Sequence, residues 1–235
     1  MAPGTLPFEL CNTGGNCPRV EALSYIVTAL VAYLLGSIPT GYLFGRSRGI
    51  DIRTVGSGNI GATNVLRTFG KPAGIFVFAV DALKGFVSCY FVGPLVYRSL
   101  GGTLEADSAT HEFLKVTGGL FAILGHNYTC WLKFKGGKGI ATSAGVVLGL
   151  LPIAFAISFA TWLIFLAITR YVSIASMAGA FVLPFAAWWP VRSSPTMIVV
   201  AAIIGVLAIY KHRTNVQRLL DGTESRIGKK EETDQ

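Results

Sequence analysis

Lys133, Lys135 and Lys138 are interleaved with Gly136, Gly137 and Gly139 in the segment 131–140, between two strongly apolar runs. Adjacent glycines can turn their N–H groups inward without steric penalty, and a nearby lysine adds a point charge, so such a loop favours phosphate as its ligand. A second glycine-rich loop, Gly56-Ser57-Gly58-Asn59-Ile60-Gly61-Ala62-Thr63-Asn64, is followed by Arg67. Ser173 and Ser176 stand three apart at the start of an apolar helix, and His212 and Asn215 repeat that spacing at the end of the last one. Each pair can therefore face one way. Taken singly, each feature has an ordinary explanation: a tight turn, a lysine snorkelling to the membrane surface, a serine bonded to its own helix. Their convergence on one side of a membrane points to phosphorylated substrates.

The elements that must bring these groups together are membrane helices. Of 235 residues, 52% are hydrophobic and 14% charged, with a mean hydropathy of +0.57, too apolar for an ordinary soluble domain. The net charge of +8 falls in short basic clusters between apolar runs rather than along one soluble face, so lipid head groups or anionic substrates, and not nucleic acid, are the expected partners. Apolar runs near 23–45, 73–97, 113–131, 172–189 and 195–210 are each close to the roughly twenty residues that cross ~30 Å of hydrocarbon as helix. The run 140–169 is longer and carries Pro152 near its middle, where a proline bends or ends a helix. It is either one tilted span or a hairpin of two short arms.

Charge separates these alternatives. A hairpin gives seven crossings and gathers 15 Lys/Arg on one side, leaving Arg19, Arg98, Lys115 and Arg192 opposite; a single span splits them 9 against 10. The positive-inside tendency favours the hairpin, with the N-terminus outside and the C-terminus in the cytoplasm. The expected fold is an all-α integral membrane protein, a bundle of about seven transmembrane helices with its active site on the cytoplasmic side. Residues 1–22 form an extracytoplasmic extension without the pattern of a signal peptide, residues 23–212 the membrane domain, and residues 213–235 a cytoplasmic tail. Cys11 and Cys17 would lie in an oxidising compartment, which leaves a disulfide between them open. Asp81 and Lys84, three apart within the second run, are expected to form a structural pair, because unpaired charge in lipid is costly. Neither a metal-ligand spacing nor an organic-cofactor motif is evident.

Gly36-Ser37-Ile38-Pro39, Val55 to Asn64, Gly125-His126 leading to Phe134-Lys135-Gly136-Gly137-Lys138-Gly139, Tyr171-Val172-Ser173-Ile174-Ala175-Ser176, and Tyr210-Lys211-His212-Arg213-Thr214-Asn215 resemble the successive signatures of the PlsY family, bacterial acyl-phosphate:glycerol-3-phosphate acyltransferases. The resemblance covers roughly residues 28–220 in order, with Thr129 standing where the family usually has proline. It implies a seven-helix enzyme of the cytoplasmic membrane that moves a fatty acyl group from acyl phosphate to the 1-hydroxyl of glycerol 3-phosphate. Lysophosphatidic acid and phosphate would be released, in the first acylation of phospholipid synthesis. Acyl phosphate would be preferred over acyl-CoA or acyl carrier protein, with functional coupling to the enzymes that make the donor and add the second chain.

On this reading Ser57, Arg67 and Lys138 hold phosphate, while Ser176, His212 and Asn215 orient glycerol 3-phosphate. Gly56, Gly58, Asn59, Gly61, Asn64, Lys135, Gly136, Gly137 and Ser173 complete the phosphate contacts. Either a substrate phosphate or His212 takes the proton. The residues agree independently, since an acyl phosphate already carries a good leaving group and positioning with charge stabilisation can suffice. No histidine is followed five residues later by aspartate, the acid/base pattern of the other large glycerolipid acyltransferase family. A transporter of a phosphorylated metabolite is the alternative, but it should show repeat symmetry, and none is visible. A lipid-binding scaffold would not need two glycine-rich motifs. The charge count predicts that a reporter fused after Gln235 is cytoplasmic; an extracytoplasmic signal would refute this sidedness.

Overall fold

The computed structural model describes residues 18–105 and 108–228; Cys11, Cys17 and the last seven residues lie outside the described residues. Within them the chain is helical, with no strand. The helices are α1 (Pro18–Ser37), α2 (Thr40–Ser47), α3 (Ala62–Phe69), α4 (Lys71–Val87), α5 (Gly93–Ser99), α6 (Ala109–Asn127), α7 (Ile140–Leu150), α8 (Pro152–Thr169), α9 (Val172–Trp188), α10 (Pro195–Lys211) and α11 (Arg213–Leu220). α1 continues into α2 across a break at Ile38-Pro39, and α4 into α5 through a π turn over Ser88–Val92. The combined rods Pro18–Ser47 and Lys71–Ser99, and α8 alone, are each long and apolar enough to cross a membrane; α10 and α11 pass together with a 47° bend.

The long apolar run divides where proline dictates. Leu151 leaves helical geometry, and Pro152 opens α8 in its first turn, a position where a missing N–H costs nothing. Lys138, just before α7, hydrogen-bonds Asn215, while Ser173 and Ser176, just after α8, line the same cavity as Lys138. The chain thus leaves one end of the bundle and returns to it, making α7 and α8 a hairpin. At 1.5 Å per residue its arms are ~16 and ~27 Å long. α8 buries only Ala154, as expected for the arm on the lipid-facing rim.

Small residues let the rods meet backbone to backbone, the usual means of packing where lipid removes the hydrophobic drive between helices. A Cβ on Gly36 of α1 would strike Ala122 of α6, and one on Gly125 would strike Tyr33; Gly85 and Gly145 stand likewise against Thr142 and Ala82 across the α4/α7 contact. Thr129 is buried, and its hydroxyl donates to the Ser37 carbonyl at 2.6 Å, which ties the loop after α6 to α1. An apolar core of Val146, Val147, Leu151, Leu183, Val200 and Ile204 with their neighbours joins α7 to α8, α9 and α10. This core forms the floor beneath the polar loops.

Candidate active site

The loops gather around one cavity of about 220 Å³. Its wall includes the first turns of three helices: Gly61, Ala62 and Thr63 at α3, Gly139, Ile140 and Ala141 at α7, and Val172 and Ser173 at α9. Helix N-termini carry partial positive charge and unpaired N–H groups. Arg67, Lys138 and His212 line the same space, so its polar end is built for an anion. Its other end is apolar, bounded by Val147, Phe155, Phe159, Trp162, Leu183 and Ile204. Phe155, Phe159 and Trp162 stack face to face along α8, with ring centres 5.7 and 5.9 Å apart, and Trp162 Nε1 donates to Ser176 Oγ at 3.3 Å, linking the aromatic wall to the polar end.

A hydrogen-bonded chain fixes the cations. Lys138 Nζ donates to Asn215 Oδ1, Asn215 Nδ2 donates to Glu224 Oε1 at 2.8 Å, and Arg218 Nε donates to Glu224 Oε2 at 2.8 Å. The orientation of the Asn215 amide is thereby determined from both ends: its NH₂ faces a carboxylate and its oxygen faces an ammonium. Arg67 donates to the Ser225 carbonyl at 3.1 Å. Burial lowers the Lys138 pKa to about 8, with Arg218 and Arg67 adding repulsion that Glu224 partly offsets. His212 is lowered further, to about 4, by burial first and by Lys138, against the opposing effect of the Ala208 carbonyl. His212 Nδ1 lies 2.8 Å from that carbonyl; a carbonyl only accepts, so the proton sits on Nδ1 and Nε2 keeps a free lone pair. Burial pushes Glu224 up, but hydrogen bonds from Arg218 and Asn215 hold it below its ordinary value.

Of the residues singled out in the sequence, Ser57, Asn59, Gly61, Asn64, Arg67, Lys138, Ser173, Ser176, His212 and Asn215 line this cavity, whereas Gly56, Gly58, Lys135, Gly136 and Gly137 do not. Gly136 N–H donates to the Asn127 carbonyl and Gly137 N–H to the His126 carbonyl at 3.0 Å. Those N–H groups cap the end of α6 instead of facing an anion, and Lys135 is exposed. Gly56 and Gly58 supply positive φ of 55° and 69°, which turns the first loop. Asn64 reaches the wall, but its amide is committed: Oδ1 accepts from Ser57 N at 2.9 Å, and Nδ2 donates to the Ile52 and Val55 carbonyls at 3.1 Å each. It staples the loop that carries Ser57 and is not free for phosphate.

Sequence reasoning missed Glu224 and Ser225, assigned there to the tail, and the aromatic wall of α8. The helix-stopping Gly222, at φ 68°, was the available signal that the chain turns back after α11. The expected Asp81–Lys84 pair is present at 2.7 Å, and Asp81 also lines the cavity together with His126. Among the described residues no group of three or more His, Cys, Asp or Glu could hold a metal ion.

The sequence model of a family described as glycerol-3-phosphate acyltransferase matches residues 26–222. A glycerol-3-phosphate acyltransferase of Geobacter sulfurreducens is 44% identical over 206 residues, covering 87% of this chain and 98% of that protein. Two crystal structures of PlsY, an integral membrane glycerol 3-phosphate acyltransferase, superpose with TM-scores of 0.75 for the glycerol 3-phosphate form and 0.73 for the lysophosphatidic acid form, at 40% and 39% identity. Each covers 87% of this chain and 96% of the other.

Asn64→Ala removes three hydrogen bonds, one buried and two half-buried, and takes the Asn64 partner from Ser57 N–H and the Ile52 carbonyl, while the Val55 carbonyl keeps that of Gly58 N. At about 1–3 kcal/mol for each group left unsatisfied, it should lower stability by roughly 2 kcal/mol or more, read as a fall in thermal midpoint in detergent. An unchanged midpoint would show that Asn64 is not the staple.

Proposed function

The chain belongs to the glycerol-3-phosphate acyltransferase family, and from that premise we propose that it transfers a fatty acyl group from acyl phosphate to the 1-hydroxyl of glycerol 3-phosphate, releasing lysophosphatidic acid and inorganic phosphate. The observation that carries this reading is one cavity with two ends: Arg67, Lys138 and three helix N-termini at one, and the stacked rings of α8 at the other. An acyl phosphate has that polarity. The related PlsY structures in glycerol 3-phosphate and lysophosphatidic acid forms supply the acceptor and product by analogy.

In the reaction, the acceptor oxygen attacks the acyl carbon, and the bond from that carbon to the phosphate oxygen breaks. Lys138, Arg67 and Ser57 hold the phosphoryl oxygens on which charge accumulates. Ser176, His212 and Asn215 orient the glycerol backbone, and Ser173 lies beside them. The hydroxyl proton passes to a phosphate oxygen of the substrate. His212 supports that choice over a histidine base: with its pKa at about 4 it is neutral at pH 7 and a weak acceptor, whereas the second ionisation of a phosphate monoester lies near ~6. Neutral His212 instead offers Nε2 as an acceptor that orients a substrate hydroxyl.

The same reading sets the enzyme in the bacterial cytoplasmic membrane with seven crossings, the N-terminus outside, and the cavity and C-terminus at the cytoplasmic face. Soluble glycerol 3-phosphate would enter there, and the acyl donor sideways from lipid. Enzymes that form acyl phosphate and that acylate the product a second time are its functional neighbours.

Purified protein given glycerol 3-phosphate with acyl phosphate, acyl-CoA or acyl carrier protein in turn should form lysophosphatidic acid with acyl phosphate alone. Lys138→Met should abolish it without loss of membrane insertion, and His212→Ala should retain measurable turnover. Because Lys138 is an ammonium below about pH 8 and loses its charge above it, glycerol 3-phosphate affinity should weaken as pH rises past that value, by up to about tenfold per unit. Product from acyl-CoA alone, or full activity in Lys138→Met, would overturn the assignment.

A further inference from the structure

A buried polar cluster lies against the Lys138 loop, with Asp81 and His126 reaching the cavity wall. Asp81 Oδ1 is 2.7 Å from Lys84 Nζ, accepts from Thr40 Oγ1 at 2.9 Å, and lies 3.7 Å from His126 Nδ1. Lys84 Nζ also donates to the Ile38 carbonyl at 2.7 Å, beside the break that Pro39 makes between α1 and α2. The first rod, through Ile38 and Thr40, is thus tied to α4, through Asp81 and Lys84, and His126 of α6 packs against the same carboxylate. All three charged or titratable members are at most 8% exposed. Stability alone is a poor reason for such a group, since replacing buried ion pairs with apolar side chains is often neutral or stabilising. Ionisable residues at membrane depth generally mark function.

The contact that gives the cluster a task is with Gly137. Its N–H donates to the His126 carbonyl at 3.0 Å, and a Cβ there would collide with His126 Nε2, so the glycine lies directly on the imidazole. The preceding N–H, that of Gly136, bonds the Asn127 carbonyl, which also accepts from Lys211 Nζ at 3.2 Å. The next residue in the chain is Lys138. We propose that the Asp81–Lys84–His126 cluster positions the Lys138 loop, with His126 as the positioning residue through which it acts on phosphate binding. The Asp81 carboxylate, itself held by Lys84 and Thr40, faces the ring at 3.7 Å; the ring and main chain of His126 set the height of Gly137, and that height places Lys138 opposite Asn215. The catalytic consequence rests on the function proposed above; the mechanical part does not.

The two parts separate in one experiment. Reaction of Lys138 with an amine reagent is followed by mass spectrometry across pH in the full-length protein in detergent, beside kcat and KM for glycerol 3-phosphate. In the wild type the labelling midpoint should fall at about 8, reflecting burial and the surrounding Arg67, Arg218, Lys211 and Glu224. His126→Ala should move it toward the ordinary lysine value as the loop relaxes into water, and added imidazole, refilling the hole, should move it back. Asp81→Asn should shift it in the same direction. A displacement of this kind should lower kcat by about 10²-fold. His126→Gln, which keeps a polar side chain, serves where His126→Ala does not fold. Val200→Ala, a core truncation outside the cavity wall, supplies the comparison for lost stability and should leave the midpoint unchanged. An unmoved midpoint in the His126 and Asp81 variants overturns the proposal, as does an equal movement in Val200→Ala. A moved midpoint in a protein with no acyltransferase activity upholds the positioning role and removes the proposed function alone.

Discussion

Positive charge held partly out of water is the constraint on which the rest depends. Lys138, Arg67 and the first turns of α3, α7 and α9 face one cavity, and in a medium less polar than water their mutual repulsion is poorly screened. Burial first, and then repulsion from Arg218 and Arg67, lowers the Lys138 pKa to about 8. Glu224, reached through Asn215 and shared with Arg218, partly offsets that repulsion. The remaining favourable field is available to an incoming anion, and a phosphate is the anion whose oxygens can meet several such donors at once.

That concentration of charge is possible because the helices approach closely. Glycines at the α1/α6 and α4/α7 contacts bring backbones together, and the break at Leu151 with Pro152 returns the chain to the end it left. Without the hairpin, the Lys138 loop and the serines of α9 would lie at opposite ends of the bundle. The apolar arm created by the fold-back supplies Phe155, Phe159 and Trp162, so one structural event produces both the polar end of the cavity and the wall suited to a lipid chain.

Much of this was legible in the sequence because membrane helices announce themselves by length and apolarity. The expected runs 73–97, 172–189 and 195–210 correspond closely to Lys71–Ser99, Val172–Trp188 and Pro195–Lys211, and Pro152 marked the break. The loops gathered as anticipated, yet composition did not separate their binding groups from their scaffolding. Gly136 and Gly137 read as anion-facing because glycine permits that geometry, whereas here α6 had unpaired carbonyls at its end and took their N–H groups. Asn64 read as a ligand because amides bind phosphate, but three backbone groups of its own loop claimed it. Glu224 was illegible for another reason: nothing local in a polar tail says that a turn at Gly222 will bring it back to a buried asparagine.

The most direct test is a structure of this protein with glycerol 3-phosphate bound. The account requires a phosphate at the polar end of the cavity, with Lys138 and Arg67 both within hydrogen-bond distance, ~3 Å, and the glycerol hydroxyls beside Ser176, His212 or Asn215. A phosphate held by only one of those cations, or seated among the exposed Arg46, Arg48 and Arg53 away from the cavity, would contradict it.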